Sequence, residues 1–229
     1  MTEHGTLPWS MAAIELAYLH RHDRVLVAGA ARVGVVDAIA HQVGARGTVL
    51  VVEPDRSLAE QIADRGMPQV EVLAMAPVGE RFGAFDALLC CPWTMPPWPS
   101  ESFCDIALLN LRPGGRFVLD LPGPEMLPDL AACWPDCGGA EDGLRLFRGP
   151  GEDLLAEQAR TAGLRRVQTA MGTHLWPLTS PLELLELVAP TLELTENRRT
   201  DLGLLLARRL RGTGAVDVLV HRSRIQAIR

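Results

Sequence analysis

Two features near the start of the chain have residue types and spacing that could do chemistry together. In RVLVAGAARVG, residues 24–34, an apolar run enters Gly29, Ala30 and Ala31 and then a helix-like segment, VVDAIAHQV. A glycine in that turn lets a ligand approach the backbone, because no Cβ intrudes. A second apolar run, TVLVVE, ends at Glu53, 24 residues after Gly29. A carboxylate at the end of a second strand is placed to accept hydrogen bonds from ribose hydroxyls. Farther along, Trp93 and Trp98 flank a proline-rich loop, CPWTMPPWPS, where they could stack on a flat ligand or pack the loop down. His174, in MGTHLWPL, and His4 are candidate bases, although a lone histidine is more often structural or solvent-exposed. Cys90 and Cys91 read as small core filler ahead of a reactive thiol pair.

Composition narrows the function classes. The chain has 229 residues, 48% of them hydrophobic, and a formal charge of −6, so no basic face for nucleic acid is expected. All 22 basic residues are Arg. A phosphate-binding P-loop lysine and a Schiff-base lysine are both excluded, since each mechanism needs the amine. No apolar run is long enough to span a membrane. The start, MTEHGTLPWS, has no basic lead and no apolar signal core. Five cysteines at irregular spacing (90, 91, 104, 133 and 137) read as free thiols of a cytoplasmic protein, with no metal site expected.

These candidates must be positioned by the elements around them. A helix is expected over residues 8–20, with Met11, Ile14 and Tyr18 on its apolar face. Strands follow at 24–29, at TVLVVE, at VEVLAM, at FDALLCC and at RFVLDL, with helices at 33–43, SLAEQIADRG and SFCDIALLNL between them. The stretch between the third and fourth strands reads as loop. Alternating strands and helices imply a parallel, doubly wound sheet, since parallel strands need crossovers. Later come a helix at EDLLAEQARTAG, a strand at LRRVQTA, a helix at SPLELLELVAP with Ser180 and Glu183 as a capping box and Pro190 as its stop, a helix at DLGLLLARRLRG, and a final strand at VDVLVHRSRIQAI. One domain over 1–229 is expected, with a helical segment at 1–22, a cofactor half at 23–122 and a C-terminal half at 123–229. The Leu-rich helices at 182–188 and 202–210 suit core packing, or a cap or homodimer face.

With these pieces in order, the chain resembles the class I S-adenosylmethionine-dependent methyltransferases, of the small-molecule kind related to the ubiquinone and menaquinone enzymes. The resemblance covers nearly the whole chain. It rests on VLVAGAARVG as the glycine motif, VLVVEPD as the acidic second strand, FDALLCC as the fourth strand, LLNLRPGGRFVLDL as the turn into strand five, and AGLRRV as a late helix-to-strand junction. It implies an α/β, doubly wound, mostly parallel Rossmann-like sheet with an antiparallel last strand. It also implies S-adenosyl-L-methionine over Gly29, Ala30 and Ala31, with Glu53 on the ribose. Pro54, Ala76 and Pro77 would border the adenine, with Cys91, Pro92 and Trp93 near the methionine or methyl end. The acceptor would be a small, largely apolar metabolite. The chain departs from the family's acid-x-Gly-x-Gly-x-Gly pattern, having Val27, Gly29, Ala31 and Val33 at those places, and Ala76 stands where an adenine-binding acid is usual. Two other readings stay open. One is a repurposed member of the fold with a binding, scaffolding or regulatory role. The other is an NAD-binding protein, because G-A-A-R-V-G is one substitution from the dinucleotide pattern G-x-G-x-x-G.

Overall fold

The structure is a computed structural model and describes residues 7–30, 32–212 and 214–229. The core is a seven-stranded sheet: β1 (Arg24–Ala28), β2 (Thr48–Val52), β3 (Val70–Leu73), β4 (Phe85–Cys90), β5 (Leu111–Pro122), β6 (Arg165–Leu178) and β7 (Val216–Ile228). Its order is β3-β2-β1-β4-β5-β7-β6. The first five strands are parallel, and β7 runs antiparallel between β5 and β6. This is the doubly wound, mostly parallel sheet that the strand–helix alternation predicts. β1 is buried on both faces from Val25 to Ala28, as an inner parallel strand must be.

The helices follow the crossovers. They are α1 (Pro8–Leu16), α2 (Val33–Val43), α3 (Arg56–Ala63), α4 (Ser102–Asn110), α5 (Pro128–Cys133), α6 (Glu152–Thr161), α7 (Pro181–Leu192) and α8 (Glu196–Arg209), with a 3-10 turn at Glu141–Phe147. One apolar cluster packs α1 and α2 on β1 and β2, and a second packs α4 and α6 on the opposite face. A third gathers Trp9, Trp134 and Trp176 with α5, α7 and α8 at the far end of the sheet. The β3–β4 link is loop, as expected, and Asn110 holds it. Its amide accepts from the Phe82 N–H at 2.6 Å and donates to the Glu80 carbonyl at 3.0 Å.

Four local expectations are corrected. Helix α1 ends at Leu16, and it buries Trp9, Ser10, Ala13 and Ile14 while Met11 and Tyr18 lie exposed. The buried stripe uses small residues that a count of large apolar side chains passes over. β6 continues through MGTHLWPL to Leu178, because an edge strand half open to solvent carries polar residues that blur the alternation. Pro190 lies inside α7, which runs on to Leu192 and ends at Glu193 with φ 49°. In the last turn, the missing N–H removes one bond without breaking what precedes it. Helix α8 begins at Glu196, ahead of the expected DLGLLLARRLRG, with a polar first turn that hides its start.

Candidate functional site

Parallel pairing brings the two sequence features together. Ala28 on β1 lies in register with Val52 on β2, so Gly29 and Glu53 leave the sheet side by side. Gly29 turns with φ 75°, and its N–H donates to the Val52 carbonyl at 3.1 Å. The Glu53 carboxylate spans two turns. Oε2 accepts the Ala30 N–H at 2.8 Å and Oε1 accepts the Asp55 N–H at 3.0 Å. Asp55 in turn caps α3, its Oδ1 accepting the N–H groups of Ser57 and Leu58. Glu53 is only 5% exposed. Burial raises its carboxyl above the ordinary range, and the Ala30 and Asp55 N–H groups oppose that rise.

The opposite wall is the loop after β4. The Cys91 N–H donates to the Gly29 carbonyl at 3.3 Å, and the Pro92 Cβ lies 3.5 Å from where a Cβ on Gly29 would stand. The Met95 N–H bonds the Leu146 carbonyl at 2.7 Å, tying the loop to the 3-10 turn. Trp98 meets Phe103 of α4 edge-on, with centroids 6.2 Å apart. Between these walls is a cavity of about 500 Å³, lined by Gly29, Glu53, Pro54, Asp55, Trp93 and Trp98 among others. Its charged lining among the described residues is the two carboxylates of Glu53 and Asp55. The buried Trp98 Nε1 has no protein acceptor.

Behind the loop sits an aromatic stack. Trp93 lies nearly parallel to Trp9 of α1, with centroids 5.6 Å apart, and edge-on to Trp176 at 5.4 Å and Phe147 at 5.9 Å. Beneath it, Asp120 of β5 receives Arg222 Nε at 2.6 Å and Arg224 Nε at 2.7 Å from β7. Asp120 and Arg222 are fully buried. Two guanidiniums face one carboxylate, and Arg224 also reaches His174 Nε2 at 3.3 Å. Burial first, and then the Arg224 cation, lower the His174 pKa, so its neutral form is favoured.

Of the expected site residues, Gly29, Glu53, Pro54, Pro92 and Trp93 line the cavity. Ala30 is buried behind it and supplies the N–H that holds Glu53. Cys91 lies beneath the site in the β1–β4 core, and burial pushes its thiol well up. Ala76 is exposed and Pro77 buried, and neither is among the cavity's lining residues, because β3 ends short of it at Leu73. His174 stands on β6 beside Trp9 and Arg224, apart from the cavity. Ala31 and His4 lie outside the described residues. Reading by motif assigns no role to Asp55, Phe103, Leu146 and Thr191, which the cavity adds from the N-cap of α3, α4, the 3-10 turn and α7. It also misses Asp120, Arg222 and Arg224, whose signal was there: one acid inside the apolar run RFVLDL, and two arginines spaced by two in the last strand.

No family model matches the chain, and no curated protein matches its sequence. Solved structures do share its fold. A candidate methyltransferase from an antibiotic biosynthesis pathway of Anabaena variabilis matches with a TM-score of 0.65 at 16% identity, over 99% of this chain and 98% of that one. The YcgJ protein of Bacillus subtilis matches with a TM-score of 0.63 at 14% identity, over 96% and 97%. Phosphoethanolamine N-methyltransferase 2 of Haemonchus contortus, in complex with phosphomonomethylethanolamine and S-adenosylhomocysteine, matches with a TM-score of 0.63 at 11% identity, over all of this chain and 54% of that one. The fold is that of the class I methyltransferases. Among the described residues, no helix is long and apolar enough to cross a membrane.

Proposed function

We propose that the chain binds S-adenosylmethionine between Gly29, Glu53 and the Pro92–Trp98 loop, and transfers its methyl group to a small, largely apolar acceptor. The observation that carries this reading is the cavity at the carboxyl ends of β1, β2 and β4, where doubly wound sheets take their ligands. Its chemistry fits the group. The aromatic and proline walls suit a purine. The Glu53 oxygens each hold one backbone bond and keep a lone pair for a ribose hydroxyl. Carboxylates as the charged lining favour a sulfonium, and no arginine stands among the described lining residues to meet a pyrophosphate.

The bound sulfonium supplies an already activated methyl group. The residues of this chain have to hold and orient the reactants and exclude water, and such positioning supplies much of the rate in displacements of this kind. Trp93 and Met95 form the wall nearest the acceptor side, with Leu146 and Thr191 closing it from the 3-10 turn and α7. Val27 and Ala76 leave the methionine ammonium and the adenine amino group without the acids that the resemblance implies. Two lost hydrogen-bond partners weaken binding by a factor on the order of a hundred.

The Trp9–Trp93–Trp176 stack favours a second reading, in which the fold keeps a nucleoside cavity without methyl transfer and serves a binding or regulatory role. Calorimetric titration separates these readings from the dinucleotide one. Heat from S-adenosylmethionine and S-adenosylhomocysteine, and none from NAD, is expected. Silence from both at millimolar ligand, with heat from NAD, overturns the proposal. Methyl-labelled S-adenosylmethionine and a pool of small apolar metabolites then divide enzyme from binding protein. The acceptor subclass and the ubiquinone-type kinship rest on the sequence resemblance, and the homodimer on the Leu-rich helices at 182–188 and 202–210; all three are part of this proposal.

A further inference from the structure

A buried arginine reaches the cavity wall from inside the sheet. Arg222 on β7 is fully buried, and each arm of its fork is used. Nε bonds Asp120, and Nη2 donates to the carbonyls of Pro92 and Asp120, both at 2.7 Å. Nη1 lies 3.4 Å from the Trp93 carbonyl. The guanidinium carbon also stands 5.7 Å from the Trp9 ring centroid. From Asp120 the contacts run through Arg222 to the backbone of Pro92 and Trp93, and the neighbouring Cys91 N–H bonds the Gly29 carbonyl at 3.3 Å. We infer that Arg222, fixed by Asp120, is a positioning residue: it clamps the Pro92–Trp93 wall against the glycine turn and so sets ligand affinity at the cavity.

The adjacent Arg224 provides the internal comparison. It shares the same carboxylate and strand face, but its remaining donors go to His174 and the Trp9 carbonyl, not to Pro92 or Trp93. A lysine at either position keeps the positive charge beside Asp120 and loses the planar fork. If Arg222 serves only to balance buried charge, Arg222→Lys and Arg224→Lys should resemble each other. If it clamps the wall, they should differ at the loop.

The test is hydrogen exchange on the full chain, read at the Trp93, Thr94 and Met95 amides, with S-adenosylhomocysteine titration beside it. Arg222→Lys should speed exchange at these amides on the order of tenfold or more while the β1 and β4 amides keep their protection. Arg224→Lys should leave the three amides within about twofold of the parent. Equal loop exchange in the two variants overturns the clamp. Should Arg222→Lys not fold, the parent protein under rising urea still decides. A clamped loop opens together with β5 and β7, and a loop that opens first, by local fluctuation, refutes the inference. The affinity half rests on the cofactor reading. There, S-adenosylhomocysteine should bind about tenfold more weakly to Arg222→Lys, a loss of one strong contact's order. If the parent binds none, the cofactor reading fails while the exchange result still judges the clamp. If the parent binds and Arg222→Lys binds equally well, the positioning role fails.

Discussion

Glu53 shows how one side chain carries two duties. It joins the turns after β1 and β2 through the Ala30 and Asp55 N–H groups, and it lines the cavity. Glu53→Ala leaves the buried Ala30 N–H and the part-buried Asp55 N–H unpaired and should cost about 1–3 kcal/mol of stability. It should also weaken S-adenosylhomocysteine binding at temperatures where circular dichroism shows the fold intact. Unchanged binding there would remove Glu53 from the ligand. Val27 argues differently. An acid at that place is what the resemblance leads one to restore, yet Val27 is fully buried among Val25, Val35 and Val36. Val27→Asp should therefore destabilise by several kcal/mol, seen as a lowered urea midpoint. His174 gives a pH signature. Its folded pKa lies below the unfolded value near 6.5, because burial and Arg224 disfavour its cation. The unfolded chain binds the extra proton first, so this contribution to stability is present above pH 6.5 and is lost as pH falls from there toward the folded pKa. His174→Gln should flatten that part of the melting-temperature profile. Gly29 and Glu53 were legible because strand ends fix them. The Asp120–Arg222 pair was not, since 102 residues separate its partners and only the fold makes them neighbours.

At the scale of elements, α7 reaches the cavity through Thr191, and α1 backs its Trp93 wall through Trp9. The Ser180 hydroxyl accepts the Glu183 N–H at 3.4 Å, while Glu183 reaches back to the N–H and hydroxyl of Thr179, one residue before the expected capping-box partner. Ser180→Ala should cost about 1 kcal/mol and lower the melting temperature by about 2–4 °C, measurable in a thermal scan. Trp9 fixes α1 across the aromatic stack. Trp9→Ala should cost about 3–5 kcal/mol and shift the fluorescence of Trp93 toward that of a wetter indole. An unshifted spectrum would mean that Trp93 is held without its neighbour. The helices with strong caps or glycine stops could be found from sequence. Those that start on polar turns, such as α8, could not, because periodicity appears only once the buried face does.

At the scale of the whole molecule, the sheet order was implied by the alternation of strands and helices, and the antiparallel last strand came from the resemblance. Neither indicated how far β6 reaches. That length matters, because β6 and β7 pair from Arg165↔Ile228 to Leu178↔Val216 and carry the outer half of the sheet. The position of β7 between β5 and β6 has a consequence for synthesis. The last of these seven strands in chain order must enter between two that precede it. Until Val216–Ile228 emerges, the nascent chain holds the β5 edge open, with Val118, Leu119 and Leu121 exposed along it, and the Asp120 carboxylate has neither of its guanidinium partners. Open apolar edges are templates for pairing with other chains. A chain arrested before residue 216 should therefore be protease-sensitive and prone to aggregate, however well the β1–β4 half has already formed. Completion of the buried charge network and closure of the sheet edge are one event, and it waits for residues 216–228.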